Sequence, residues 1–128
     1  MRSMAIVLEE LLNERDTPVE EVMARHFTPA YRQRTGGVWA EWPVIARNLA
    51  HVRTMVRSVK VDLLDEVVRG AVYADRHVLT IEMRDGTRQV RESYVFGRFA
   101  PDGRFEAIEE VTLVDPADPP SGSRDVGL

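Results

Sequence analysis

Apolar residues recur at helical spacing in the first part of the chain and at every second position after it. Over residues 4–14, Met4, Val7, Leu8, Leu11 and Leu12 share one side, while Glu9, Glu10, Asn13 and Glu14 fill the other. That pattern predicts an amphipathic helix ending near Asp16. The string TPVEEVMARHF predicts a second, short helix that stops before Pro29. Here Thr17 is read as the N-cap, Pro18 as the first helical residue and Glu20 as the closing member of a capping box. A third helix is expected from Trp42-Pro43 to about Met55, because Ile45, Leu49, Val52 and Val56 repeat at steps of four and three. The intervening TPAYRQRTGGVWAE is read as a loop.

After Ser58 the period becomes two. Val59, Val61 and Leu63 alternate, VVRGA turns, VYADRHVLTIEM runs to RDGT, and ESYVFGRFAPDGRFEAIEEVTLV completes a meander of about four long strands. Helices first and an antiparallel sheet afterwards is an α+β arrangement with the helices on one face of a curved sheet. The tail, 115–128, with three prolines and no periodicity, is expected to be loosely ordered behind a single domain over 1–114.

Register follows from the turns. A type I turn at Ala100-Pro101-Asp102-Gly103 with a Gly103 bulge would pair Tyr94 with Glu110 and Phe96 with Ile108. A two-residue turn at Asp85-Gly86 would set His77 opposite Tyr94 and Asp75 opposite Phe96. The result is a lateral row of His77, Tyr94 and Glu110, with Tyr73, Leu79, Ile81, Met83 and Val90 around it. The opposite face would carry Val78, Val95, Ala107, Glu109, Val111 and Leu113, an apolar outer surface that predicts a two-fold homodimer through the sheet. A carboxyl beside a tyrosine and a histidine in apolar surroundings suits proton transfer, because burial raises the acid's pKa and a neighbouring donor lowers it. The same row also reads as a cross-strand polar ladder with a structural role.

Composition narrows the chemistry. Net charge is −4 over 128 residues, with 17 basic side chains scattered among acids, so no nucleic-acid stripe exists. Cysteine is absent, which excludes thiolate sites and suits a reducing cytoplasm. The opening MRSMAIVLEELLNER lacks the apolar core of a signal peptide, and no run reaches membrane length. His26 and His51 have no ligand-spaced partners, so no metal site is expected. RTGGV lacks the lysine of a phosphate loop, and no Gly-x-Ser-x-Gly elbow occurs.

Three strings, HFTPAYRQRTGG, GAVYADRHVLTIEMRDG and FAPDGRFEAIEEVTLV, make residues 4–114 resemble the nuclear transport factor 2-like superfamily, and within it the SnoaL-like proteins. The resemblance implies a cone: three helices capping a strongly curved antiparallel sheet, an apolar pocket between them, and dimerisation through the sheet. Its members include polyketide cyclases, ketosteroid isomerase and small epoxide hydrolases, which work without a cofactor, and others with no known catalysis. Glu110 or Asp75 would then be the acid or base, with His77 and Tyr94 assisting. Tyr31, Gln33, Arg34, Trp42, Phe96 and Ile108 would line the pocket. Arg34 stands where many SnoaL-like members have a histidine, and its planar donors would suit a carbonyl or anionic group. Two functions remain open: an isomerase or cyclase acting by proton transfer on a small apolar carbonyl compound, or a non-catalytic homodimeric binding or interaction module.

Overall fold

The computed structural model describes residues 2–114; the expectation for the tail lies outside them. Three helices come early: α1 (Met4–Asn13), α2 (Val19–His26) and α3 (Trp42–Met55). Six strands complete the fold: β1 (Phe27–Thr35), β2 (Val38–Glu41), β3 (Val56–Arg69), β4 (Val72–Met83), β5 (Arg88–Phe99) and β6 (Phe105–Val114). They form one sheet in the order β2-β1-β6-β5-β4-β3, antiparallel except where β1 runs parallel to β6. This is the expected α+β architecture of three helices on a curled sheet. The core lies between them, built from helix residues such as Val7, Leu11, Met23 and Ile45 and inward strand residues such as Val59, Leu79, Ile81 and Ile108.

Two local readings change. The segment read as a loop contains β1 and β2, joined at Gly36 and Gly37, whose φ angles of 56° and 87° are left-handed. Two such residues make the tight hairpin turn that glycine permits without steric cost. Pro18, not Thr17, caps α2, and Thr17 instead hydrogen-bonds Glu14.

The long edge strand β3 has backbone groups with no neighbouring strand, and α1 supplies their partners. Asn13 Nδ2 donates to Val59 O at 2.8 Å while Val59 N donates to Asn13 Oδ1 at 2.8 Å, and Val61 N donates to Glu9 Oε2 at 2.8 Å. Covering an edge in this way removes a template for aggregation and fixes the helix against the sheet. No described helix is long and apolar enough to cross a membrane.

Candidate functional site

Two turns decide which side chains face the helices. At the β4–β5 turn Met83 N donates to Thr87 O at 2.8 Å, Gly86 N donates to Met83 O at 3.1 Å, and Gly86 takes a φ of 90°. The loop therefore has three residues with a left-handed glycine, one longer than the Asp85-Gly86 reading. His77 consequently lies opposite Ser93, and Asp75 opposite Val95. The β5–β6 turn is the expected one, with Ala100 N donating to Arg104 O at 2.7 Å, Gly103 N donating to Ala100 O at 2.9 Å, and a φ of 88° at Gly103. The register then shifts: Phe99 pairs with Phe105 but Arg98 with Ala107, so Glu106 is a bulge residue. Gly97 faces inward here, and a Cβ on it would lie 3.1 Å from the Phe105 ring.

Each slip turns one strand over relative to its neighbour, and the two cancel between β4 and β6. Asp75, His77 and Glu110 all face the helices, at 7%, 0% and 6% exposure. Only β5, between them, is reversed. Tyr94 and Phe96 point outward, 40% and 59% exposed, and Val95 takes the inward place beside Glu110. The expected His77–Tyr94–Glu110 row therefore does not exist, and Tyr94 donates to Glu92 at 2.7 Å on the outer face. Val95 leaves the outer patch, which consists instead of Tyr94, Phe96, Val111 and Leu113.

The inner polar residues of β4 are linked to one another. The Tyr73 hydroxyl lies 2.6 Å from Asp75 Oδ2 and 2.8 Å from Glu66 Oε2, so its one hydrogen is shared between two carboxyl acceptors, and its oxygen accepts from Met4 N at 3.1 Å. Asp75 Oδ1 lies 2.7 Å from His77 Nδ1. A carboxylate only accepts, so the hydrogen of this contact is on Nδ1. His77 Nε2 is buried without a partner among the described residues. Glu110 lies near enough for the His77 charge to act on its carboxyl, and accepts a long 3.4 Å contact from Thr112. Burial pushes the Glu110 carboxyl up to about 7, with Asp75 adding to the rise and His77 and Thr112 opposing it.

Above Glu110 runs a ladder along β1. Tyr31, 1% exposed, donates to Gln33 Oε1 at 2.9 Å, and Gln33 Nε2 donates to Thr35 Oγ1 at 3.1 Å. Thr35 is the parallel-strand neighbour of Glu110. Burial, then the Glu110 charge, raises the Tyr31 phenol well above its ordinary value, so it stays protonated. Gln33 and Thr35 open into a recess of about 230 Å³ walled by Trp39, Ile45, Leu49 and Val52. Alternation along β1 turns Arg34 outward, where its guanidinium pairs with Glu109 at 3.2 Å beside Tyr94 and Phe96. Trp42 packs half-buried against the core, and its neighbour Trp39 is the tryptophan of the recess, under the Arg32 guanidinium at 4.4 Å. Ile108 faces inward as expected.

A larger cavity, about 850 Å³, sits where α1 begins and shares no wall residue with the recess. Gln33 and Thr35 connect the recess to Tyr31 by hydrogen bonds and to Glu110 by strand pairing, and Glu110 also borders a hollow of about 330 Å³ beside Arg34, Tyr94 and Phe96. Two tyrosines, Tyr73 and Tyr31, stand among the inner polar residues, and the sequence placed Tyr31 only at the pocket mouth.

The architecture matches solved structures. An NTF2-like protein of unknown function from Exiguobacterium sp. 255-15 superposes with a TM-score of 0.68 at 13% identity, covering 90% of this chain and 100% of its own. A candidate isomerase of the SnoaL-like family from Agrobacterium tumefaciens gives 0.64 at 15% identity, covering 86% and 94%. IdmH, a candidate polyketide cyclase from Streptomyces antibioticus, gives 0.65 at 16% identity, covering 84% and 87%. The chain thus has the nuclear transport factor 2-like fold. No protein-family model matches the sequence, and no curated protein matches it.

Proposed function

We propose that the chain is a small-molecule pocket protein of the SnoaL-like type, and that it moves protons on a small apolar carbonyl compound without a cofactor, as an isomerase or cyclase. The observation that carries this reading is Glu110: a carboxyl buried on the inner face of β6 beside Thr35 of β1, where burial pushes it up to about 7. An acid with that affinity is half ionised at neutral pH, so one group both removes a proton from carbon next to a carbonyl and returns it. His77, held by Asp75 at 2.7 Å, opposes the rise of the Glu110 carboxyl and so helps to set the affinity of that acid. A recess of about 230 Å³ lies below the usual span of about 300–1,000 Å³ for drug-sized ligands, which favours a small substrate. The SnoaL-like isomerase and cyclase among the structural neighbours support the same class of reaction. A cytoplasmic location fits the absence of cysteine.

A small cyclic enone incubated with the protein in deuterium oxide should lose the NMR signal of its α protons faster than in buffer. Glu110→Gln should lower that acceleration by about 10²-fold or more. Enone shifts confined to the recess with no exchange would favour the second reading, a non-catalytic homodimeric module. That reading draws on the exposed Tyr94, Phe96, Val111 and Leu113, an outer patch suited to a second copy of the chain.

A further inference from the structure

The hydrogen bonds along β1 have a direction that runs from the core to the recess. Tyr31 is buried, and its phenol stays protonated because burial, then the Glu110 charge, raises it well above its ordinary value. A buried hydroxyl hydrogen needs an acceptor, and among the described residues Gln33 Oε1, at 2.9 Å, is the atom that takes it. That fixes the Gln33 amide: its oxygen faces Tyr31 and its nitrogen faces Thr35. Gln33 Nε2 donates one hydrogen to Thr35 Oγ1 at 3.1 Å and has a second to give. Thr35 Oγ1 accepts in that contact, so its own hydrogen is free to be donated, and no described residue receives it. The ladder therefore ends in two donors. Both side chains are half-buried members of the recess wall, so a molecule entering the recess reaches them. Trp39, Ile45, Leu49 and Val52 make the rest of the wall apolar, and no side chain in it is ionisable. Asn48, an exposed wall residue, presents a donor or an acceptor by turning its amide and so imposes no selection. An anion would find no cation in this wall and would enter beside Glu110, the strand neighbour of Thr35.

We propose that Thr35 Oγ1 and Gln33 Nε2 are the donors that hold the carbonyl oxygen of a neutral ketone in this recess, and that Tyr31 is a positioning residue that sets their polarity through Gln33. The inference rests on the reading of the chain as a pocket protein for a small carbonyl compound, but not on proton transfer by Glu110. Two donors in an apolar wall prefer a carbonyl to an apolar group of the same shape, because an occupant without an acceptor takes them from water and leaves them unpaired.

The test is an NMR titration with cyclohexanone carrying carbon-13 at the carbonyl, using methylenecyclohexane as the counterpart of the same shape without an acceptor. Saturable shifts are expected at Gln33, Thr35 and Trp39, and methylenecyclohexane should bind about ten-fold more weakly. The carbonyl carbon of the bound ketone should resonate at its position in water or downfield of it, whereas a carbonyl without donors moves upfield to its position in hexane. Thr35→Val, which keeps the branched shape and removes the hydroxyl, should move that signal upfield and erase most of the preference for the ketone. Thr35→Ser should retain both. Tyr31→Phe, which keeps the ring in the core, should also move the carbonyl signal upfield although it does not touch the ketone. No saturable binding in the recess, equal affinity for methylenecyclohexane, a carbonyl signal blind to Thr35→Val, or equal losses in the valine and serine variants would overturn the proposal. Deuterium uptake at the ketone's α positions, read in the same samples, separates the two claims. A donor-shifted carbonyl with no uptake would refute proton transfer by Glu110 and uphold the donor pair; uptake with a carbonyl signal blind to Thr35→Val would do the reverse.

Discussion

Replacing Glu110 by glutamine keeps the shape of the side chain and removes the charge. In the unfolded chain this carboxyl titrates near 4.5; in the folded protein burial holds it at about 7. Between those values the folded state binds more protons than the unfolded state, so wild-type stability falls as pH rises through the window. The full difference is about 3 kcal/mol, present below 4.5 and lost by about pH 8. Glutamine has nothing to titrate there. Glu110→Gln should match the wild type near pH 4.5 and exceed it by up to about 3 kcal/mol at pH 8, roughly 10 °C in Tm for a domain of this size. Urea denaturation followed by tryptophan fluorescence at several pH values measures the difference directly. Parallel pH profiles for the two proteins, or a wild type more stable than the variant at pH 8, would refute the claim that Glu110 is buried at a cost when ionised.

Two further substitutions probe the register. Tyr94→Phe removes a hydroxyl that bonds Glu92 and Arg76 on the exposed face, so stability should change by no more than about 0.5 kcal/mol and the NMR signals of His77 should not move. Gly97→Ala drives a methyl to 3.1 Å from a Phe105 ring already stacked on Phe99 at 4.5 Å, and should cost about 1–3 kcal/mol in thermal unfolding.

The helices and the long strands were legible because burial imposes their periods: Val7, Leu8, Leu11 and Leu12 cannot share a face except on a helix, nor can Leu79, Ile81 and Met83 except on a strand. β1 was missed because its inward residues, Gln33 and Thr35, are as polar as its outward Arg32 and Arg34, so alternation carries no contrast. The Gly36-Gly37 pair is the signal that would have found it, since two adjacent glycines between extended segments make a tight hairpin turn. Register was harder. Nothing in the residues around Asp85-Gly86 distinguishes a two-residue from a three-residue turn, and a bulge at Glu106 leaves no mark in composition. Asp75, His77 and Glu110 came out on the right face because two one-residue slips compensate across β5. Tyr94 and Phe96 did not, because they lie on the strand between them.

The central claim is that Glu110 is an acid poised near neutrality inside the fold. It is tested most directly by the carbon-13 shift of the Glu110 carboxyl, followed by NMR from pH 4 to 9 on protein labelled at glutamate. A midpoint near 7 that falls when the buried environment is opened by Ile108→Ala is the predicted result. A midpoint at the ordinary 4.5 would mean that the carboxyl is solvated, and the site assigned to it would fall with it.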